Sequence, residues 1–201
     1  MAAILCFGDS NTYGYIPGGA GRYPWEQRYA GALAAALGAG YTVTADGLVG
    51  RTTVFEDRRP GRRGLDALEA ALTAAEPEIL VLMLGTNDCK AQFGANAARV
   101  AAGMAALTEL AWRVQPGMRC VWVAPPVLAP EALLCGDYNE NSLITSHRLA
   151  GAYEALAGRL GCAFWDAARS AAVSRIDGEH LRAEGQQALG RSLAEIVRRC
   201  S

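Results

Sequence analysis

The chain has 201 residues, about half of them hydrophobic, and a formal net charge of −1. That length supports a single domain, 1–201, with a sizeable core. The balanced charge gives no global attraction to nucleic acid or to an acidic membrane surface, so neither is expected as a partner.

The opening residues carry no basic flank before their apolar run, and Asp9 arrives too early for a secretory signal. Residues 4–7 instead predict a buried strand, broken abruptly by Gly8-Asp9-Ser10-Asn11. Trp25, Tyr29, Leu33 and Leu37 recur every fourth residue and predict a helix that Gly38 stops. Residues 41–44 form a weaker strand. The run 51–63 holds five arginines but also Glu56 and Asp57, and reads as a solvated loop rather than a polyanion site. Leu65, Leu68 and Leu72 stripe a second helix that ends before Pro77. Residues 79–84 are a third strand. Val100, Met104, Leu107, Ala111 and Val114 stripe the next helix, which ends at Pro116-Gly117, and 120–124 form a fourth strand. The segment 125–145 is the longest irregular stretch and is expected to wall a pocket. Thr145 or Ser146 then caps a helix striped by Leu149, Tyr153, Leu156 and Leu160, with Gly161 beyond its end. Residues 162–165 are the last strand, and Leu189, Leu193 and Ile196 mark the last helix.

Continuous apolar strands suit a parallel sheet covered on both faces. Alternation with helices gives an α/β chain, a three-layer α/β/α arrangement. No apolar run is long enough to span a bilayer. The six cysteines, Cys6, Cys89, Cys120, Cys135, Cys162 and Cys200, are scattered without a Cys-x-x-Cys pair. Their spacing argues against zinc, and the chain is expected to be reduced and cytoplasmic.

Ligands of such sheets bind beyond the carboxyl ends of the strands. Polar residues gather there: Gly8-Asp9-Ser10-Asn11, Gly47-Leu48-Val49-Gly50 and Gly85-Thr86-Asn87-Asp88, with Asp177-Gly178-Glu179-His180 before the last helix. Acyl transfer through serine needs a base, a carboxylate to orient it, and donors for the oxyanion. Of the two histidines, His147 reads as an exposed helix residue, whereas His180 has Asp177 three positions earlier. Asn87 offers a side-chain amide, and Gly50 and Ser10 offer backbone N–H groups. Singly, each has a plainer reading: Gly-Asp-Ser as a turn, Asn87 as an Asx-turn, Gly50 as a turn glycine, Asp-x-x-His as surface. Residue 12 is Thr, so the G-x-S-x-G elbow of α/β-hydrolases is missing.

Together and in this order the four blocks resemble those of the SGNH, or GDSL, hydrolases. The resemblance implies Ser10 as nucleophile and oxyanion donor, Gly50 and Asn87 as the other two donors, and Asp177 and His180 as the remaining triad members. It implies a flavodoxin-like fold with a five-stranded parallel sheet in order 2-1-3-4-5, and no metal or organic cofactor. CFGDSNTYG, GLVGRTT, MLGTNDCKAQF and APPVLAP look most like small bacterial arylesterases with acyltransferase side activity. The expected substrate is a small-molecule ester, with water or an alcohol as acceptor, and the resemblance points to a homo-oligomer. Asn11 departs from the name-giving motif, which has Leu there. Asp9 is expected to anchor the turn rather than react. Thioester hydrolysis uses the same triad. A non-catalytic phosphate or FMN binder is the more distant alternative, and it leaves Asp177, His180 and Asn87 without a task.

Overall fold

Five strands, β1 (Ala2–Gly8), β2 (Tyr41–Gly47), β3 (Ile79–Met83), β4 (Arg119–Ala124) and β5 (Ala163–Asp166), form one sheet. Their order is β2-β1-β3-β4-β5, and every neighbouring pair is parallel. This computed structural model describes residues 2–19 and 21–200. Among the described residues six α-helices accompany the sheet: α1 (Ser10–Tyr13), α2 (Tyr29–Leu37), α3 (Gly64–Ala75), α4 (Ala97–Val114), α5 (Glu140–Leu160) and α6 (Ala183–Cys200).

The apolar strands fill both sides of the sheet because successive side chains point to opposite faces. Leu5, Phe7, Leu80, Leu82 and Trp122 pack with Leu68, Leu72, Val100, Met104, Leu107, Leu149 and Tyr153, which brings α3, α4 and α5 to one face. Ile4, Cys6, Ile79, Val81, Met83, Val121 and Val123 pack with Tyr29, Leu33, Leu189, Leu193 and Val197, which brings α2 and α6 to the other. The three layers and the strand order match the expectation. Among the described residues, no helix is long and apolar enough to cross a membrane.

Most strand ends move by only one or two residues from the sequence reading, and three boundaries move further. Trp25 lies in a separate 3₁₀ turn, Trp25–Gln27, because Arg28 is extended at φ −79° and ψ 153° and interrupts the helix. Strand β2 continues to Gly47, paired with Gly8 at the end of β1. Helix α5 starts at Glu140, not after Thr145 or Ser146. Asn139 caps it: its Oδ1 accepts from Ser142 N at 3.0 Å, and Asn139 N donates to Ser142 Oγ at 3.1 Å. The irregular stretch therefore closes at residue 139, and it contains a 3₁₀ turn, Pro130–Cys135.

Two glycine substitutions separate packing from propensity. A Cβ on Gly190 of α6 would lie 2.4 Å from Tyr29 O and 2.6 Å from Ala32 Cβ, whereas one on Gly151 of α5 meets nothing within 4 Å. Gly190→Ala is expected to destabilise by about 1–3 kcal/mol through overpacking. Gly151→Ala is expected to stabilise by about 0.5–1 kcal/mol through helix propensity. Urea denaturation of both variants checks the opposite signs.

Candidate active site

The site forms where β1 ends. Only glycine fits at position 8, since a Cβ there would lie 2.1 Å from Thr12 Oγ1 and 2.5 Å from Met83 O. The chain can then turn sharply into the single turn of α1. Asp9 caps that turn, its Oδ1 accepting from Asn11 N at 3.0 Å. Ser10 is the first residue of α1, so its N–H has no intrahelical acceptor.

The segment from Ser174 to His180 folds back on itself. Ser174 N donates to His180 O at 2.7 Å, and Gly178 N donates to Ser174 O at 2.8 Å. Gly178, at φ +70°, sits against the 129–132 backbone, where a Cβ would approach Ala132 N to 2.3 Å. The turn aims the Asp177 carboxylate at His180. Oδ1 accepts from Glu179 N at 3.2 Å and His180 N at 3.1 Å. Oδ2 accepts from Gly18 N at 3.0 Å and lies 2.9 Å from His180 Nδ1. A carboxylate only accepts, so Nδ1 carries the imidazole proton and Nε2 is free to accept. Nε2 lies 2.9 Å from Ser10 Oγ, which donates to it. The Tyr15 ring packs on the imidazole, with centroids 4.5 Å apart.

Burial opposes ionisation of Asp177, but the hydrogen bonds it accepts from His180 and Gly18, and the imidazole beside it, outweigh that and hold its pKa at about 2. Burial also disfavours the His180 imidazolium, yet the hydrogen bond that Nδ1 donates to Asp177 and the charges of Glu179, Asp177 and Asp9 raise its pKa above the ordinary 6.5. Asp9 is the opposite case. Burial dominates, Oδ2 has no hydrogen-bond partner among the described residues, and its pKa is pushed up to about 7.

Asn87 opens the 3₁₀ turn Asn87–Cys89 after β3. It is buried, and its Nδ2 has no hydrogen-bond partner among the described residues. Its neighbour Asp88 accepts from the N–H and the hydroxyl of Thr53, which ties this turn to the chain after β2. Gly50, at φ +83°, turns that chain toward Ser10. Ser10, Gly50, Asn87 and His180 line one cleft of about 180 Å³. Asp177 stands behind His180, and His147 is exposed on α5, away from the cleft residues. The cleft thus joins every site residue of the sequence reading except Asp177, which reaches it through the imidazole.

Sequence reasoning missed other residues that line or support the cleft. The run 51–63 is only partly a solvated loop. Arg51 is buried: its Nη1 donates to Gly8 O at 2.9 Å and Asp46 O at 2.7 Å, and its guanidinium lies 4.1 Å from the centroid of the Phe7 ring. Arg59, at the exposed rim, covers Gly50 so closely that a Cβ there would lie 2.1 Å from Nη2. Lys90 also lines the cleft, its Nζ 2.6 Å from Asp57 Oδ2, and both side chains are buried. Tyr138 O–H donates to Glu179 Oε1 at 2.8 Å, so the segment before α5 does wall the cleft. The mixed charges of the run were visible in the sequence, but not which of them turn inward.

A doubly wound sheet with hydroxyl, imidazole and carboxylate in line at its carboxyl edge defines the SGNH class of hydrolases. The chain belongs to the GDSL-like lipase/acylhydrolase family, whose model matches residues 6–188. No curated protein sequence matches it. Among solved structures it is similar to a carbohydrate acetylesterase from Sinorhizobium meliloti, at 35% identity and TM-score 0.92, with 100% of each chain covered. It is also similar to the native aryl esterase of M. smegmatis, at 33% identity and TM-score 0.92, with 99% of each chain covered.

Asp9 sets a pH dependence of stability. From its ordinary pKa of 3.8 up to about 7, the folded protein keeps a proton that the unfolded chain has released. Stability therefore falls as pH rises through that window and the penalty is constant above it, with a limiting slope of about 1.4 kcal/mol per pH unit. Asp9→Asn removes this term. The melting temperature of the variant relative to wild type is expected to rise between pH 5 and pH 8, as thermal melts across that range would show; parallel curves would contradict it.

Proposed function

We propose that the protein is a serine esterase for small acyl esters. The observation that carries this reading is the line Asp177 Oδ2–His180 Nδ1, His180 Nε2–Ser10 Oγ, at 2.9 Å and 2.9 Å, opening on a cleft lined by Asn87, whose Nδ2 has no hydrogen-bond partner among the described residues. Ser10 Oγ attacks the ester carbonyl while His180 Nε2 takes its proton. The carbonyl oxygen becomes an oxyanion facing Ser10 N–H, Gly50 N–H and Asn87 Nδ2. Asp177 stays ionised, since its pKa is about 2, and stabilises the imidazolium. The imidazolium then protonates the leaving alcohol, and an acyl-enzyme remains on Ser10. Water, deprotonated by His180, releases the acid and restores Ser10.

Two features narrow the substrate. A cleft of about 180 Å³ favours acetyl-sized acyl groups. Its lining includes Arg59, Lys90, Asp137 and Glu179, a polar wall that favours hydrated access and hence water as acceptor over an alcohol. The acetylesterase and aryl esterase relatives support ester hydrolysis, and the acetylesterase supports the short acyl group. The phosphate or flavin reading is disfavoured because the Ser10 hydroxyl is engaged with His180. Six free cysteines, Cys135 exposed among them, suit a reducing cytoplasm.

Hydrolysis of p-nitrophenyl acetate by folded Ser10→Ala is expected to fall by about 10⁴-fold or more. Asn87→Ala is expected to lose about 10²–10³-fold in kcat, with little change in KM. Equal activity in Ser10→Ala and wild type would remove Ser10 as nucleophile.

His180 must be neutral to act as base. The kcat/KM profile is therefore expected to rise with pH to a plateau, with its midpoint above 6.5 because the imidazole pKa is raised. With p-nitrophenyl esters from acetate to octanoate, kcat/KM is expected to fall with chain length. Predominant transfer to added alcohol would replace the hydrolase reading with the acyltransferase one.

A further inference from the structure

Asn11 stands where the family's name-giving motif has leucine, and the catalytic scheme gives it no task. It is buried beside Ser10. Its side-chain Oδ1 accepts from Leu181 N at 3.0 Å, and its Nδ2 donates to Glu179 O at 3.2 Å. Those two groups belong to the peptide planes on either side of the His180 Cα. One amide therefore grips both planes that carry the imidazole, across 170 positions of sequence.

The grip is itself anchored. Asn11 N donates to Asp9 Oδ1 at 3.0 Å, and Asn11 O accepts from Gln186 Nε2 at 2.9 Å. Gln186, fully buried on α6, accepts from Tyr29 N at 2.8 Å through Oε1. The α1 turn, the start of α2, the His180 loop and α6 thus share one hydrogen-bonded network. A leucine at position 11 has no polar atom to replace these side-chain bonds, and would leave Leu181 N–H and Glu179 C=O without them in a buried setting.

We propose that Asn11 is a positioning residue for His180: its amide sets the imidazole at hydrogen-bond distance from Ser10 Oγ. The proposal rests on the serine esterase reading for its effect on rate, but its structural content stands apart from it. Asp177 orients the ring from the side of Nδ1, whereas Asn11 fixes the backbone from which the ring projects. Displacing that backbone by about 1 Å is enough to cost ~10² in rate without touching substrate.

The test compares wild type, Asn11→Leu and Asn11→Asp, with folding checked by circular dichroism. Asn11→Leu keeps the bulk and removes both bonds. Asn11→Asp keeps the acceptor for Leu181 N, and carries the comparison if the leucine variant does not fold. On p-nitrophenyl acetate, kcat is expected to fall ~10²-fold in Asn11→Leu and less in Asn11→Asp, with KM within about twofold in both. The second readout is the ¹⁵N-imidazole NMR signal of His180 in the inactive Ser10→Ala background, where His147 is the only other histidine. There the Nδ1 proton bonded to Asp177 is expected to broaden and the ring to titrate at a different pH once Asn11 is replaced. An unchanged His180 titration, or a loss confined to KM, overturns the proposal. Full activity of Ser10→Ala would overturn the esterase mechanism instead, and leaves the NMR comparison able to decide the Asn11 question.

Discussion

Ser10 and His180 are 170 positions apart in the chain and 2.9 Å apart in space, and the parallel sheet is what brings them together. Each crossover returns the chain to the same edge, so the carboxyl ends of all strands emerge on one side. The order β2-β1-β3 then sets the end of β1 between the ends of its two neighbours. Ser10 follows β1, Gly50 follows β2 and Asn87 follows β3. The cleft is the space where those three ends meet the loop before α6. Close approach at Gly8 and Gly47 lets α1 fold over the ends of β1 and β2, and the Thr53–Asp88 bonds tie the neighbouring turns to each other. The site depends less on any one loop than on the register of three neighbouring strands, β2, β1 and β3.

Two carboxylates near one imidazole are driven in opposite directions. Asp177 accepts from three backbone N–H groups and from the ring, so its charge is solvated by the protein itself. Among the described residues Asp9 has one donor on Oδ1 and none on Oδ2, so burial prevails and the proton is retained up to about neutral pH. The difference separates the two carboxylates: an ionised group behind His180, and a capping group that shapes the turn beneath Ser10. Asp177 can hold that charge only because Gly178 permits the turn that directs the backbone N–H groups of residues 179 and 180 at it.

The parts of the fold that were legible in the sequence are those with a local cause. Buried strands showed as continuous apolar runs, and α3, α4 and α6 as stripes, since burial on a face leaves a periodic trace. The start of α5 was misplaced because its capping box pairs Asn139 with Ser142, and the familiar Glu or Gln at the third helical position is missing. Trp25 kept the helical spacing of α2 although Arg28 breaks the backbone before Tyr29, which spacing cannot report.

The site divides along the same line. Ser10, Gly50, Asn87, Asp177 and His180 could be named because each belongs to a short block whose residue types suit acyl transfer and whose order resembles a known family. Their distances, the inward turn of Arg51 and Lys90, and the seat of Arg59 over Gly50 had no local sign. Neither had the pairing of Asn11 with the loop around His180, or of Gln186 with residues 157 and 175 positions away. The sequence by itself determined which chemical groups the protein carries and the layers they fold into, because hydrophobic periodicity and turn residues act over a few positions. Only the tertiary structure decided which groups face one another and how strongly each is ionised, because hydrogen bonds and burial act through space between residues far apart in the chain.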